Sequence, residues 1–178
     1  MNKPLDLDAP FFTAGQLAGA AGLPRGTADV WVHRGLIGSR GRRTGKGRAP
    51  FSIAVVFEAK VFRILAEDVG IKPSESLAIA KQLATVKAED GYWMFSVARG
   101  IENAKPLDLV AALSRSDGRW RSVLHHSTQS ASADFGAEKA YIELPISKIF
   151  EGVYDTCKRM LAGAVEPAKR KGRQRARP

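Results

Sequence analysis

The sequence predicts an α+β fold in which a mostly helical N-terminal half precedes a small α+β module and a disordered basic tail. Caps and turn residues divide residues 12–88 into four helices and one glycine-rich loop. Residues 92–144 instead contain three short runs rich in aromatic and β-branched residues, which predict strands. The predicted boundaries are a flexible lead over 1–11, a helical domain over 12–89, a module over 90–163 and the tail over 164–178.

The first helix is predicted from its terminal residues. Thr13 and Gln16 have the spacing of a capping box, in which the side chain of each residue accepts a hydrogen bond from the backbone amide of the other. Gly22 can end this helix in a left-handed conformation. Pro24 suits the first position of the next helix, because an amide there has no helical partner.

The second helix is predicted over 24–34. Ala28, Trp31 and Val32 recur at i, i+3 and i+4, so they are expected to face the core. The residues left on the outer side are Arg25, Gly26, Thr27, Asp29 and His33.

A glycine-rich basic loop over 38–50 follows, and residues 44–48 have the composition of a hairpin tip. Ser52 is a candidate cap for an apolar helix over 53–69, and another helix is predicted over 72–88. Two short helices across a tight turn, followed by a cationic hairpin, are typical of a unit that presents one helix to a DNA groove.

The distribution of charge supports a polyanionic partner. The chain has 28 Lys and Arg against 18 Asp and Glu, a net charge of +10. Six of the cations lie in 34–48 and six in the last twelve residues, and neither segment contains an acid. The remaining 16 basic and 18 acidic residues leave the rest of the chain at −2. Since the excess charge lies in one loop and one tail, we expect nucleic acid as the partner.

In the second half, strands are predicted over 92–97, 120–126 and 140–144, with helices over 107–113 and 146–162. Trp120, Ser122 and Leu124 should lie on one face of their strand. A sheet this small has exposed edges, so the module over 90–163, or its helix 146–162, is expected to form a homodimer. The aromatic residues Tyr92, Trp93 and Trp120 would equally suit a sensor domain for a small-molecule effector, and the sequence does not choose between these roles.

Residues 12–84 resemble the MerR-type winged helix-turn-helix regulators. The matching positions are Phe12-Thr13, Gln16-Leu17-Ala18, Ala21-Gly22-Leu23, Thr27, Trp31, Arg34-Gly35-Leu36-Ile37, Gly45-Lys46-Gly47-Arg48 and Phe51-Ser52. The resemblance implies that the helix 24–34 enters the major groove and that the hairpin 38–50 contacts the backbone or minor groove. Gly26 and Asp29 depart from the family, which often has arginine there. The family's long dimerisation helix and its metal-sensing cysteines are also missing.

The DNA contacts predicted from this frame combine the two helices with the basic loop. Arg25 and Thr27 lie in the first turn of the second helix, where Arg25 reaches either guanine or phosphate. Asp29 accepts from a cytosine amine or, as we favour, restrains Arg25 one turn earlier. His33 and Arg34 are expected on the DNA backbone. The full set is Thr13, Arg25, Thr27, Asp29, His33, Arg34, Arg40, Arg42, Arg43, Lys46 and Arg48.

Other classes of function lack support in the sequence. Cys157 is the only cysteine, so neither an intramolecular disulfide nor a cysteine cage is possible. His125 and His126 are adjacent and have no ligand at helical spacing, so no metal is expected. No nucleophile motif or phosphate-binding loop is present, and neither an enzyme nor a cofactor is predicted. No apolar run approaches the ~20 residues of a membrane helix, and no secretory signal is visible, which predicts a cytoplasmic, nucleoid-associated protein.

The sequence therefore predicts a dimeric, sequence-specific DNA-binding protein that regulates transcription. The same N-terminal unit also resembles that of excisionases and of phage small terminase subunits. A role in DNA architecture or packaging is therefore the alternative.

Overall fold

A computed structural model of the protein describes residues 7–9, 11–38, 51–84, 109–116, 118–126 and 141–165. The helices are α1 (Ala14–Ala21), α2 (Arg25–His33), α3 (Ile53–Arg63), which continues as a π-helical turn (Ile64–Asp68), α4 (Pro73–Ala84) and α5 (Ile146–Val165). The strands are β1 (Leu109–Ser116), β2 (Arg119–His126) and β3 (Tyr141–Leu144). Over these residues, five α-helices accompany one three-stranded sheet, so the α+β prediction is confirmed at this level.

The helical half follows its terminal signals closely. The Ser52 hydroxyl accepts from the Val55 amide at 3.4 Å, which confirms the predicted cap of α3. The predicted helix 53–69 changes to π geometry in its last turn, where the Val69 amide donates to the carbonyl of Ile64 at 3.0 Å. Gly70, at φ +78°, ends this segment. The predicted end of α4 at residue 88 lies outside the described residues.

The start of the second helix was predicted one residue too early. Pro24 is the N-cap of α2, with an extended ψ of 137°, and its carbonyl accepts from the Ala28 amide at 3.1 Å. A capping residue takes this non-helical conformation while its carbonyl already receives a helical hydrogen bond. Arg34, predicted as the last helical residue, is the C-cap.

The sheet is antiparallel in the order β2-β1-β3. The predicted helix over 107–113 is wrong, because residues 109–116 form the central strand. Leu and Ala favour a helix locally, but β1 pairs with β2 along its whole length and with β3 on its other side. Ser116 pairs with Arg119 across two residues, Asp117 and Gly118, and Asp-Gly is a strong hairpin sequence that the prediction overlooked.

The other C-terminal elements match their predictions where the structure describes them. The strands near 120–126 and 140–144 are confirmed, and Trp120 and Leu124 pack on the core while Arg121 is exposed. The helix predicted over 146–162 is confirmed and extends to Val165. The strand predicted over 92–97, the boundary at 89/90 and residues 166–178 of the tail lie outside the described residues.

One hydrophobic core joins the helices to the sheet. Buried residues from α1, α3, α4, β1, β3 and α5 form a single cluster. Phe150 of α5 meets Phe57 of α3 edge to face, with ring centroids 5.6 Å apart. The predicted apolar stripe of α5 therefore packs on its own chain, through Ile146, Phe150, Val153 and Cys157.

Candidate nucleic-acid interface

The turn between α1 and α2 is held by caps on both sides. The Thr13 amide donates to Gln16 Oε1 at 2.9 Å, and the Gln16 amide donates to the Thr13 hydroxyl at 3.3 Å, so the predicted capping box is present. Gly22 ends α1 at φ +71°, and the Leu23 amide donates to the Ala18 carbonyl at 2.8 Å. This left-handed conformation is strained for other residues, so Gly22 determines the direction in which the chain enters α2.

Two cations of α3 support the C-terminal end of α1. A methyl group added to Gly22 would come within 3.4 Å of Lys60 Nζ and 3.9 Å of an Arg63 nitrogen. Cations are favourable near a helix C-terminus, because unpaired carbonyls give that end a partial negative charge. Burial and, to a smaller extent, the charge of Arg63 lower the pKa of Lys60. Arg63 is in turn paired with Asp68 at 3.3 Å.

The inner face of α2 contacts the rest of the fold through few residues. Ala28 is fully buried, and Trp31 packs against Phe62 of α3 with ring centroids 4.3 Å apart. Trp31 is half-buried and belongs to the core, as predicted. Because the anchoring residues all lie on one side, the opposite side of α2 faces away from the fold.

The outer face of α2 carries most of the residues predicted to contact DNA. Arg25, His33 and Arg34 are exposed, whereas Thr27 and Asp29 are half-buried at the margins of that face. The positions of Arg25 and Arg34 put one cation at each end of the helix. The choice between the two roles considered for Asp29 stays open.

Thr13 stands apart from this face. Its side chain is exposed, but its hydroxyl accepts from the Gln16 amide and lies 3.1 Å from Gln16 Oε1. The observed role of Thr13 is therefore to cap α1, and a DNA contact from the same hydroxyl stays a prediction.

The two ends of the basic loop lie together beside the helices. Phe51 forms an antiparallel bridge with Phe12, whose amide donates to the Phe51 carbonyl at 2.9 Å. At the other end, Gly38 has φ +64°, and a methyl group there would lie 2.7 Å from the Phe51 ring. The five predicted phosphate contacts between these ends, Arg40, Arg42, Arg43, Lys46 and Arg48, lie outside the described residues.

Sequence reasoning missed one residue of the outer face. Val30 is 46% exposed, the largest exposed fraction of the two large hydrophobic side chains that are exposed in the described part of the chain. The signal was available, since residue 30 lies on the side of the helix away from Ala28 and Trp31.

The described residues show no other candidate centre. They contain no group of three or more His, Cys, Asp or Glu side chains that could hold a metal ion. Over the same residues, no helix is both long and apolar enough to cross a membrane. Cys157 is fully buried in α5, and burial raises the pKa of its thiol to about 11, which makes it unreactive as a nucleophile.

Comparison with known proteins adds no family to this description. No model of a protein family matches the chain, and no curated protein shows significant sequence similarity to it.

Proposed function

We propose that this chain is a sequence-specific double-stranded-DNA-binding protein that regulates transcription. In this proposal α1 and α2 form a helix-turn-helix, and α2 enters the major groove. The basic segment 38–50 is the wing that contacts the neighbouring backbone or minor groove. The observation that carries the proposal is the exposed outer face of α2, which has Arg25 at one end and Arg34 at the other.

The base of the segment 38–50 supports the assignment of a wing. Its ends meet where Phe51 bridges to Phe12 and covers Gly38, so this cationic segment leaves and re-enters the fold at one place. Phe12 directly precedes the capping box of α1, which connects the base of the segment to the helix pair. A wing must be positioned relative to the recognition helix, and this bridge offers a physical means.

Affinity and specificity are expected to come from different parts of the chain. The six cations of 34–48 and the six of the tail would contribute sequence-independent affinity through phosphate contacts. On α2, Arg25 and Thr27 would read bases, while His33 and Arg34 contact the backbone. Binding should consequently weaken steeply with salt, whereas preference among sequences should depend mainly on α2.

The proposal includes a homodimer formed through residues 90–163. The apolar face of α5 packs on α3 of the same chain, so a strand edge is the more suitable pairing surface. Two-fold symmetry would place the two copies of α2 about 34 Å apart, one turn of DNA, and would require a palindromic site.

The first test measures DNA affinity against salt concentration. In one variant, Arg25 is changed to Ala and the five wing cations 40, 42, 43, 46 and 48 are changed to Gln. If the wing cations contact phosphates, the slope of log affinity against log salt should become shallower by roughly 4 to 5 for each subunit of the proposed homodimer, since each contact contributes about 0.9. Random-site selection with the unaltered chain should return one motif with two related half-sites.

The matched control neutralises six exposed cations outside the proposed interface, with Lys72, Arg119, Arg121, Lys148, Lys158 and Arg159 changed to Gln. This control should keep most of its DNA affinity, because the proposal assigns none of these residues to the DNA interface. Unchanged affinity and slope in the α2 and wing variant would rule out the proposed interface.

A role in DNA packaging or recombination is the second candidate. The described residues contain one long C-terminal helix, α5, and its apolar face is used within its own chain. This observation removes the most obvious surface for the antiparallel dimer of a MerR-type regulator. Light scattering separates the two roles, because a ring of eight or more subunits would favour packaging and a dimer would favour regulation.

A further inference from the structure

Val30 and Gly26 share the outermost line of α2. Residues four apart lie on the same face of a helix, about 6 Å from each other along its axis. Val30 is 46% exposed, whereas Ala28 on the opposite side is fully buried. Gly26 is exposed, and a methyl group added there would meet no atom within 4 Å.

Neither residue is explained by the folding of the chain. A single exposed valine is common, but valine has lower helix propensity than alanine, and here its side chain gains little burial in return. Gly26 lies inside a helix without the positive φ that would require glycine, and no packed neighbour excludes a larger residue. The surface of α2 therefore has no side chain at Gly26 and one exposed apolar side chain, Val30, one turn further along the helix.

We propose that Val30 contacts the C5 methyl group of a thymine in the major groove. We further propose that Gly26 allows the helix to approach the base edges closely enough for that contact. Thymine is the base that presents a methyl group in the major groove, so an apolar side chain on a recognition helix discriminates it from cytosine. The inference rests on the proposed function, and it adds a specificity determinant to α2.

The charges around Val30 favour DNA over an apolar protein partner. Arg25 and Arg34 are exposed at the two ends of the same helix, whose one acid, Asp29, is half-buried. The basic segment that follows contains no acid through residue 48. A protein-docking surface would require several adjacent apolar groups, whereas the described outer face of α2 offers one. A single methyl-sized contact between flanking cations fits a base edge between two phosphate backbones.

The experiment removes the two methyl partners separately and together. The selected DNA site is synthesised with each thymine replaced in turn by deoxyuridine, which keeps the base pair and loses the C5 methyl group. At one position the unaltered chain should bind about fourfold more weakly, the factor that corresponds to about 0.8 kcal/mol for one methyl group. Each subunit of the proposed homodimer contributes one Val30, so the variant Val30→Ala should bind the thymine site about fifteenfold more weakly, twice the free energy of one methyl group. The variant should lose nothing further on the deoxyuridine site.

Gly26→Leu tests the second part of the inference. The open space at Gly26 means that this variant should melt at or above the temperature of the unaltered chain, yet its affinity for the selected site should fall at least tenfold. If Gly26→Leu binds as tightly as the unaltered chain, close approach at this position is disproved.

The outcomes separate this inference from the proposed function. Losses from Val30→Ala and from deoxyuridine that add independently would overturn the thymine contact, and so would insensitivity to every replacement. In both cases the chain still selects a sequence, so the proposed function stands. A chain that selects no sequence at all would overturn both.

Discussion

α2 and α5 both place an aromatic ring against a phenylalanine of α3, but they use their surfaces in opposite ways. α2 has nine residues, of which Ala28 is the fully buried one, and its main contact with α3 is the Trp31–Phe62 pair. α5 has twenty residues, and its buried face includes Ile146, Phe150, Val153, Tyr154 and Cys157. α5 is thus part of the core, whereas α2 is a surface helix attached along one narrow side.

The difference shows how a helix can expose most of its surface without being poorly positioned. α2 gains little from burial, so its orientation depends on the caps of α1, on the left-handed Gly22 and on Trp31. The outer residues of α2 are consequently free of packing requirements, and substitutions there can alter recognition without destabilising the fold. On α5, substitutions of the buried residues by smaller ones would instead open cavities in the core.

The largest expected effect is a loss of stability when the aromatic residue that joins each helix to α3 is replaced by alanine. Phe150→Ala should lower the free energy of unfolding by about 3–5 kcal/mol, because the ring is 1% exposed and its removal leaves a cavity against Phe57. Trp31→Ala should cost less, since Trp31 is only half-buried. Urea unfolding followed by circular dichroism measures both. An equal loss from the two substitutions would contradict the distinction between core and surface helix.

A smaller effect is expected at the cap that positions the helix pair. Thr13→Ala should reduce the free energy of unfolding by about 1 kcal/mol, since the Gln16 amide loses its acceptor. Thr13→Ser retains the hydroxyl and should recover most of the loss. Thermal melts of the three proteins provide the comparison, and a serine variant as unstable as the alanine variant would show that the hydroxyl is not what stabilises this turn.

The smallest effect is expected at Glu58 of α3, the helix between α2 and α5. Glu58 Oε1 is buried and has no hydrogen-bond partner among the described residues. Burial raises the pKa of Glu58 above 4.5, and the charge of Lys81 opposes that shift. A carboxyl group with a raised pKa in the folded state favours folding fully below pH 4.5 and loses that contribution as pH rises through the raised pKa.

Glu58→Gln should therefore remove this decline in stability between acidic and neutral pH. Melting temperatures of the variant and the unaltered chain, measured from pH 4 to pH 8, should diverge as pH rises, with the variant more stable at the upper end. Parallel curves over that range would show that Glu58 does not titrate as proposed.

Terminal signals in the sequence predicted the helical half because they act over three or four residues. The Thr13–Gln16 capping box, the left-handed C-cap at Gly22 and the Ser52 N-cap form as expected, and each depends on groups that are close along the chain. The helix predicted over 107–113 failed for the opposite reason. Strand β1 is stabilised by partners around residues 119–126 and 141–144, and its own Leu and Ala residues do not specify it.

The candidate interface divides in the same way. The sequence predicted that Arg25 and His33 lie on the outer side of α2, and both are exposed, as is the C-cap residue Arg34. It did not show that a side chain at Gly26 would meet open space, or that Phe51 joins the base of the basic segment to Phe12. Both depend on which atoms the tertiary structure brings together.

By itself, the sequence determined where α1 begins and ends, where α3 begins, which side of α2 is buried and where the excess positive charge lies. These properties follow from caps, periodicity and composition, which are local. The tertiary structure decided that residues 109–116 form a strand, that α5 buries its apolar face on α3, and that Gly38 and Phe51 meet. Each of these brings together residues distant along the chain, or depends on how closely side chains can pack.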